Sequence, residues 1–139
     1  MFKDIWDKIY NKLVALKSTT TLNEVYNFYP KQFDSYPLAI VYPSDSNEII
    51  LDSVQNTIEI PYIVTIIDTY DDPSTVEAKL RTLVDSIIDN FRKDQELRTW
   101  LNRLTYTLSI QTNWTFNTDE ANYRIIDIIL RFRTVADIL

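Results

Sequence analysis

Three carboxylates, Asp68, Asp71 and Asp72, crowd the point where an apolar, β-branched run gives way to Pro73. Oxygen ligands gathered this closely suit a hard cation such as Mg²⁺ or Ca²⁺, and metal-assisted hydrolysis is the chemistry they would support. The same residue type is also a good turn former and a favourable charge ahead of a helix N-terminus. A metal-dependent nuclease would add a Lys or His and a basic approach, and neither is evident beside them. The turn is therefore the expected role. Asp68, Asp71 and Asp72 are the residues a metal would use, and no metal or other cofactor is expected.

Two further groups bear on binding. Tyr26, Phe28, Tyr29, Phe33, Tyr36 and Tyr42 form an aromatic-rich stretch in which Lys31 is the one cation. Base stacking comes with interleaved Lys and Arg, so core packing or an oligomer contact is the expected use, Tyr and Phe being enriched at interfaces. Arg124, Arg131 and Arg133 would contact phosphate or, as expected here, pair with carboxylates across the sheet or across a subunit boundary. Ser, Thr, Tyr and carboxylate groups are present, but no spacing singles out an acid/base pair.

Composition removes other chemistry. The 139 residues contain no Gly, no His and no Cys; at ordinary usage roughly ten Gly would be present. Without Gly, phosphate-cradling loops are excluded. Without His and Cys, the usual zinc sets and the Ser-His and Cys-His nucleophile pairs are excluded, and no disulfide framework exists. The net charge is −6, with no basic face for duplex DNA. The opening MFKDIWDKIY is interrupted by acids and does not read as a signal peptide. No run approaches the ~18 apolar residues of a membrane span, so a soluble protein made in the cytoplasm is expected, and not an enzyme.

The elements that would hold these groups follow from periodicity. Over residues 2–17, Phe2, Ile5, Trp6, Ile9, Tyr10, Leu13 and Val14 recur at helical spacing, and the Ser18–Thr21 run ends the helix. Residues 22–29 read as a short strand or extended segment. Leu38–Tyr42 reads as a strand bounded by Pro37 and Pro43, and Glu48–Leu51 as another, with residues 52–56 a loop. Residues 57–69 alternate as a long strand: Ile58, Ile60, Tyr62, Val64 and Ile66 on one face; Glu59, Pro61, Ile63, Thr65 and Ile67 on the other. Pro61 signals an edge strand or a bulge. Ser74 with Glu77 reads as a capping box, opening a helix striped by Val76, Leu80, Leu83, Val84, Ile87, Ile88 and Phe91. Leu97, Trp100 and Leu101 anchor further turns over 95–101. Residues 104–116 and 122–136 read as a closing hairpin with its turn at 117–120. Its last strand sets Ile126, Ile128, Leu130 and Phe132 against Tyr123, Ile125, Asp127, Ile129 and Arg131. The order predicts one α+β domain over 1–139, a mainly antiparallel sheet with two main helices on one face.

This layout, with its N-terminal amphipathic helix, YPLAIVYPSD strand and loop, acidic turn into VEAKLRTLVDSIIDNF and final hairpin, resembles phage tail terminator and tail-completion proteins. The resemblance spans nearly the whole chain as architecture. It implies a structural virion subunit at the tail–neck junction, assembled in the host cytoplasm. Copies would form a ring, usually hexameric, that caps the tail tube protein and joins it to a neck or head-completion protein. DNA would pass through the lumen without specific binding, which an acidic surface suits. Ring subunits need apolar surface beyond their own core, and Ile63, Ile67, Ile125 and Ile129, with Arg131, are the residues expected to face a neighbouring copy. Another neck or head–tail connector component, or a small adaptor binding a protein through residues 26–42, are the other readings.

Overall fold

The computed structural model describes residues 2–44, 47–50, 55–104, 106–117 and 123–137. In chain order the elements are α1 (Phe2–Leu16), β1 (Glu24–Tyr26), β2 (Leu38–Pro43), β3 (Asn47–Ile50), β4 (Gln55–Thr69), α2 (Pro73–Arg92), α3 (Gln95–Arg103), β5 (Thr107–Asn117) and β6 (Tyr123–Asp137). The strands make one six-stranded sheet in the order β1-β2-β4-β6-β5, with β3 pairing β4 beyond the end of β2. All pairs are antiparallel except β1 with β2, which is parallel. The fold is α+β, as the sequence predicts.

The helices share one face because their apolar stripes and the alternation of the strands point to a common layer. Ile5, Ile9, Leu13 and Leu16 of α1, Val76, Leu80, Leu83, Val84, Ile87 and Phe91 of α2, and Leu97 and Leu101 of α3 are all buried. They meet Ala39 and Val41 of β2, Ile60, Tyr62, Val64 and Ile66 of β4, and Ile126, Ile128, Leu130 and Phe132 of β6. Each such aliphatic or aromatic side chain contributes roughly 1.5–3 kcal/mol by leaving water. Trp6 fixes α1 over the sheet: its indole N–H donates to the Val41 carbonyl at 3.1 Å, and its ring lies 6.3 Å from that of Tyr62. Val14, read as part of the stripe, is 40% exposed, and Leu16 is buried in its place.

Three local readings are corrected. The N-cap of α2 is Asp72, with Pro73 in the first turn, so Ser74 and Glu77 do not form a capping box. Asp72 instead accepts from the hydroxyls of Ser74 and Thr75, and Glu77 turns to another partner described below. The second correction concerns Pro61. It lies in a central strand, not at an edge: β4 has β6 on one side and β2 and β3 on the other. Pro43 pairs Tyr62 and Asn47 pairs Glu59, so the paired ladder on this side of β4 is interrupted opposite Ile60 and Pro61. The Pro61 carbonyl accepts from Ser44 N at 3.0 Å. A residue's N–H and C=O point the same way in an antiparallel ladder, so the donor that Pro61 lacks would have faced this interruption rather than β6. Third, β4 begins at Gln55 and β5 continues through Asn117, so both strands run further than the loop and turn readings allow. Residues 51–54 and 118–122 of those readings lie outside the described residues.

Candidate interaction surface

With the helices on one side, the odd-numbered residues from Glu59 to Thr69 of β4 and from Tyr123 to Arg133 of β6 face the other. Cross-strand register sets out this outer face in rows: Leu38, Ile67, Ile125 and Thr115; then Ile40, Thr65, Asp127 and Asn113; then Tyr42, Ile63, Ile129 and Gln111; then Pro61, Arg131 and Ser109. The rows are not equally covered. The segment between β1 and β2 folds back over the first of them, where Phe33, Tyr36 and Tyr26 pack on Leu38, Ile40 and Ile67, joined by Tyr42, Tyr123 and Ile125. Ile67 is buried by the chain's own residues, and Ile125 packs into the same cluster. Ile67 is therefore not open to a neighbour, which departs from the expectation for that residue, whereas Ile125 is half-buried at the edge of the cluster. Ile63 and Ile129, paired in register, belong to neither core cluster and are half-buried.

A polar rim surrounds that pair. On one side the Thr65 hydroxyl donates to Asp127 Oδ1 at 2.8 Å, and the Tyr42 and Thr65 hydroxyls meet at 3.0 Å. On the other, Arg131 Nη1 donates to Gln111 Oε1 at 2.6 Å, and Arg131 Nε lies 3.5 Å from Glu59 Oε1. Arg131 thus has its carboxylate within the sheet rather than waiting for one from a neighbour. A partly exposed apolar centre with a hydrogen-bonded border is the anatomy of a protein contact.

The aromatic stretch divides in two. Tyr36 and Tyr123 stack with ring centroids 5.7 Å apart and hydroxyls 3.3 Å apart. Burial, reinforced by that hydrogen bond, pushes the Tyr36 hydroxyl up to about 12. Asn23 donates through its side-chain amide to the Tyr36 carbonyl, and the following peptide, Tyr36–Pro37, is cis. Phe33 lies edge-on to Tyr36, and Tyr29 leans on Phe33 at 5.9 Å. Phe28 and Tyr29 themselves project outward, 60% and 71% exposed.

The three aspartates do not converge. Asp68 is buried on the helix side of β4, with Lys79 Nζ at 3.0 Å from Oδ2 and the Thr69 N–H donating to Oδ1. Asp71 and Asp72 are exposed at the start of α2. Among the described residues, no group of three His, Cys, Asp or Glu side chains is placed to share a metal ion. Arg124, opposite Asp68 in register, also turns to the helix side. Its Nε lies 2.7 Å from Glu77 Oε1, its Nη1 donates to the Thr115 carbonyl, and it lies over the Trp114 ring at 5.1 Å. Glu77 also bonds the Tyr70 hydroxyl, whose pKa is raised by burial and then by the carboxylate. The three arginines of β6 therefore do not make one basic surface: Arg124 lies beneath the sheet, Arg131 and Arg133 above it.

A second feature, not read from the sequence, lies on the helix side. A cleft of about 540 Å³ opens between α1 and α3, floored by Ile5, Ile9, Leu16, Phe91, Leu97 and Phe132. Lys12 Nζ bridges it to Asp94 Oδ2 at 2.8 Å, and Lys8 Nζ sits 4.6 Å above the Trp100 ring. Asp94 is also the N-cap of α3, accepting from the Leu97 N–H at 3.0 Å. Burial alone would raise the Asp94 pKa, but the Lys12 ammonium and the backbone N–H groups outweigh it and hold the carboxyl below its ordinary range. In the sequence Lys8 and Lys12 read as the wet side of α1, and no local signal shows that another helix stands across from them.

No helix of the described residues is long and apolar enough to cross a membrane. No protein-family model matches the chain, and no curated protein matches it.

Proposed function

We propose that this chain is a structural ring subunit of a phage virion, acting like a tail terminator: copies pack side by side, one rim caps the tail tube and the other docks the neck. The observation that carries the reading is the half-covered outer face, where Ile63 and Ile129 form an apolar centre with a fixed polar rim. A sheet with helices on one face gains by covering the other, and a neighbouring copy in a closed ring is one way to do it. The element order also agrees with the layout on which the resemblance rests. The protein works by assembly and turns over no substrate. Its net charge of −6 would let DNA pass without adhering.

Immunogold electron microscopy of particles from the source, with antibody against this chain, tests the proposal. Label at the head-proximal end of the tail is the expected result. Particles consistently unlabelled, with the protein free in the lysate, would overturn it. The exposed pair Phe28 and Tyr29 favours a second reading, an adaptor that grips one protein through residues 26–42; a stable stoichiometric complex away from particles would support that reading instead.

A further inference from the structure

We infer that copies of this chain join head to tail, with Phe28 and Tyr29 of one copy seated in the α1–α3 cleft of the next. The inference rests on the ring reading and specifies its contact.

The knob and the cleft lie on opposite faces of the sheet. Tyr29 leans on Phe33, which belongs to the outer-face cluster, and Phe28 lies edge-on to Tyr26 of the same cluster. The cleft is bounded by helices and floored in part by Phe132, which faces them. The sheet separates the two features within one chain, so only another copy's cleft can receive this knob. A contact between two different patches is heterologous, and it propagates until it closes into a ring or runs on as a filament.

The chemistry of the two features matches. Both aromatic rings are mostly exposed, an arrangement that costs hydration free energy in the lone chain. The cleft falls in the size range that holds ligand-sized groups, and its apolar floor is buried beneath the Lys12–Asp94 bridge, which an entering ring would displace. Lys8 at its wall already lies on one aromatic face, Trp100, and its ammonium would lie against an entering ring. The charges are complementary too. Among the described residues Lys8 has no carboxylate within ion-pair distance, and Asp34, in the knob segment, has no cation. Docking the knob would bring the segment that bears Asp34 to the cleft that bears Lys8. It would also draw the outer face, with Ile63 and Ile129, toward the helices of the neighbour, so that each sheet is covered on both sides.

The absence of Cys makes the test clean. Asn27 beside the knob and Asn11 at the cleft are both exposed. A chain carrying Asn27→Cys is mixed with one carrying Asn11→Cys and treated with a short bismaleimide, while sedimentation velocity reports oligomers. The expected result is efficient 27-to-11 linkage, with little 27-to-27 or 11-to-11 product, and a covalent ladder when one chain carries both changes. The double variant Phe28→Ala, Tyr29→Ala, at exposed positions, should keep its circular dichroism spectrum and weaken self-association at least tenfold. Oligomers that form without the 27-to-11 link overturn this contact while the ring reading stands. A chain that stays monomeric at all concentrations, on particles left unlabelled by antibody, overturns both.

Discussion

Arg124 Nε lies 2.7 Å from Glu77 Oε1, so a residue at the start of the last strand is tied to the first turns of α2, far away in sequence. Beside that pair, Lys79 Nζ lies 3.0 Å from the buried carboxylate of Asp68. Two strands and one helix are thus stitched by alternating charges at the end of the sheet. Asp68, one of the three aspartates grouped by the sequence, thus takes an ion-pairing role at this end of the sheet.

Removing Arg124 takes from Glu77, which has little water around it, its near counter-charge and leaves only Arg81 Nη2 at 4.0 Å. Arg124→Ala is expected to destabilise the fold by about 2–3 kcal/mol, read as a lower urea midpoint with unchanged slope. Adding Glu77→Leu to it should return much of the loss, because an apolar replacement needs no partner. A cost below about 0.5 kcal/mol for Arg124→Ala would show that the pair is immaterial to folding.

The four isoleucines singled out from the sequence should separate into two behaviours. Ile129→Glu, at a half-buried position, is expected to leave a folded monomer that does not assemble. Ile67→Glu places a carboxylate in the cluster with Leu38 and Ile40 and should unfold the chain or cost several kcal/mol. Thermal melts and sedimentation of the two variants side by side decide this. Equal behaviour of both would contradict the division of the outer face described above.

Alkaline pH should weaken the fold through Tyr36. Its hydroxyl titrates near 10 when unfolded and at about 12 when folded, so the native state holds the proton more tightly. The associated stability is complete below pH 10 and is lost as pH rises from 10 through 12. Urea unfolding at pH 9 and pH 11 should show the loss, and Tyr36→Phe should make the curve flatter across that window. An equally steep fall in the variant would place the effect elsewhere.

The cleft gives the opposite sign. Asp94 has a folded pKa below its unfolded value of 3.8, so its contribution is present above that value and fades as pH falls through the folded pKa. Asp94→Ala removes both the α3 cap and the Lys12 partner and should cost about 1–2 kcal/mol at neutral pH. Asp94→Asn keeps a capping oxygen and should cost less. If Asn and Ala cost the same, the cap contributes nothing and the ion pair carries the whole effect.

Much of the architecture was legible because periodicity is a one-dimensional signal. The alternation of Ile126, Ile128, Leu130 and Phe132, and of Ile58 through Ile66, fixed which side of each long strand meets the helices. The stripe from Val76 to Phe91 fixed the matching face of α2. Pro61 misplaced β4, which is central rather than an edge strand, although the ladder is interrupted on the side where its missing N–H would have pointed. The sequence by itself also excluded the usual His and Cys zinc sets, thiol chemistry and Gly-rich phosphate loops, because it contains no His, Cys or Gly.

What it could not decide were partnerships between segments far apart. Ile63 and Ile67 carry the same signal, two residues apart on one face, yet only Ile67 is covered, because the segment from Phe33 to Tyr36 folds back over one end of the sheet and stops short of the other. Glu77 has the spacing of a capping residue, but a charged partner arriving from β6 outweighs a local backbone bond. Lys8 and Lys12 read as a solvated face until α3 is set across from them and forms a cleft. Local pattern determines which way a side chain points; only the packed chain determines what it meets there.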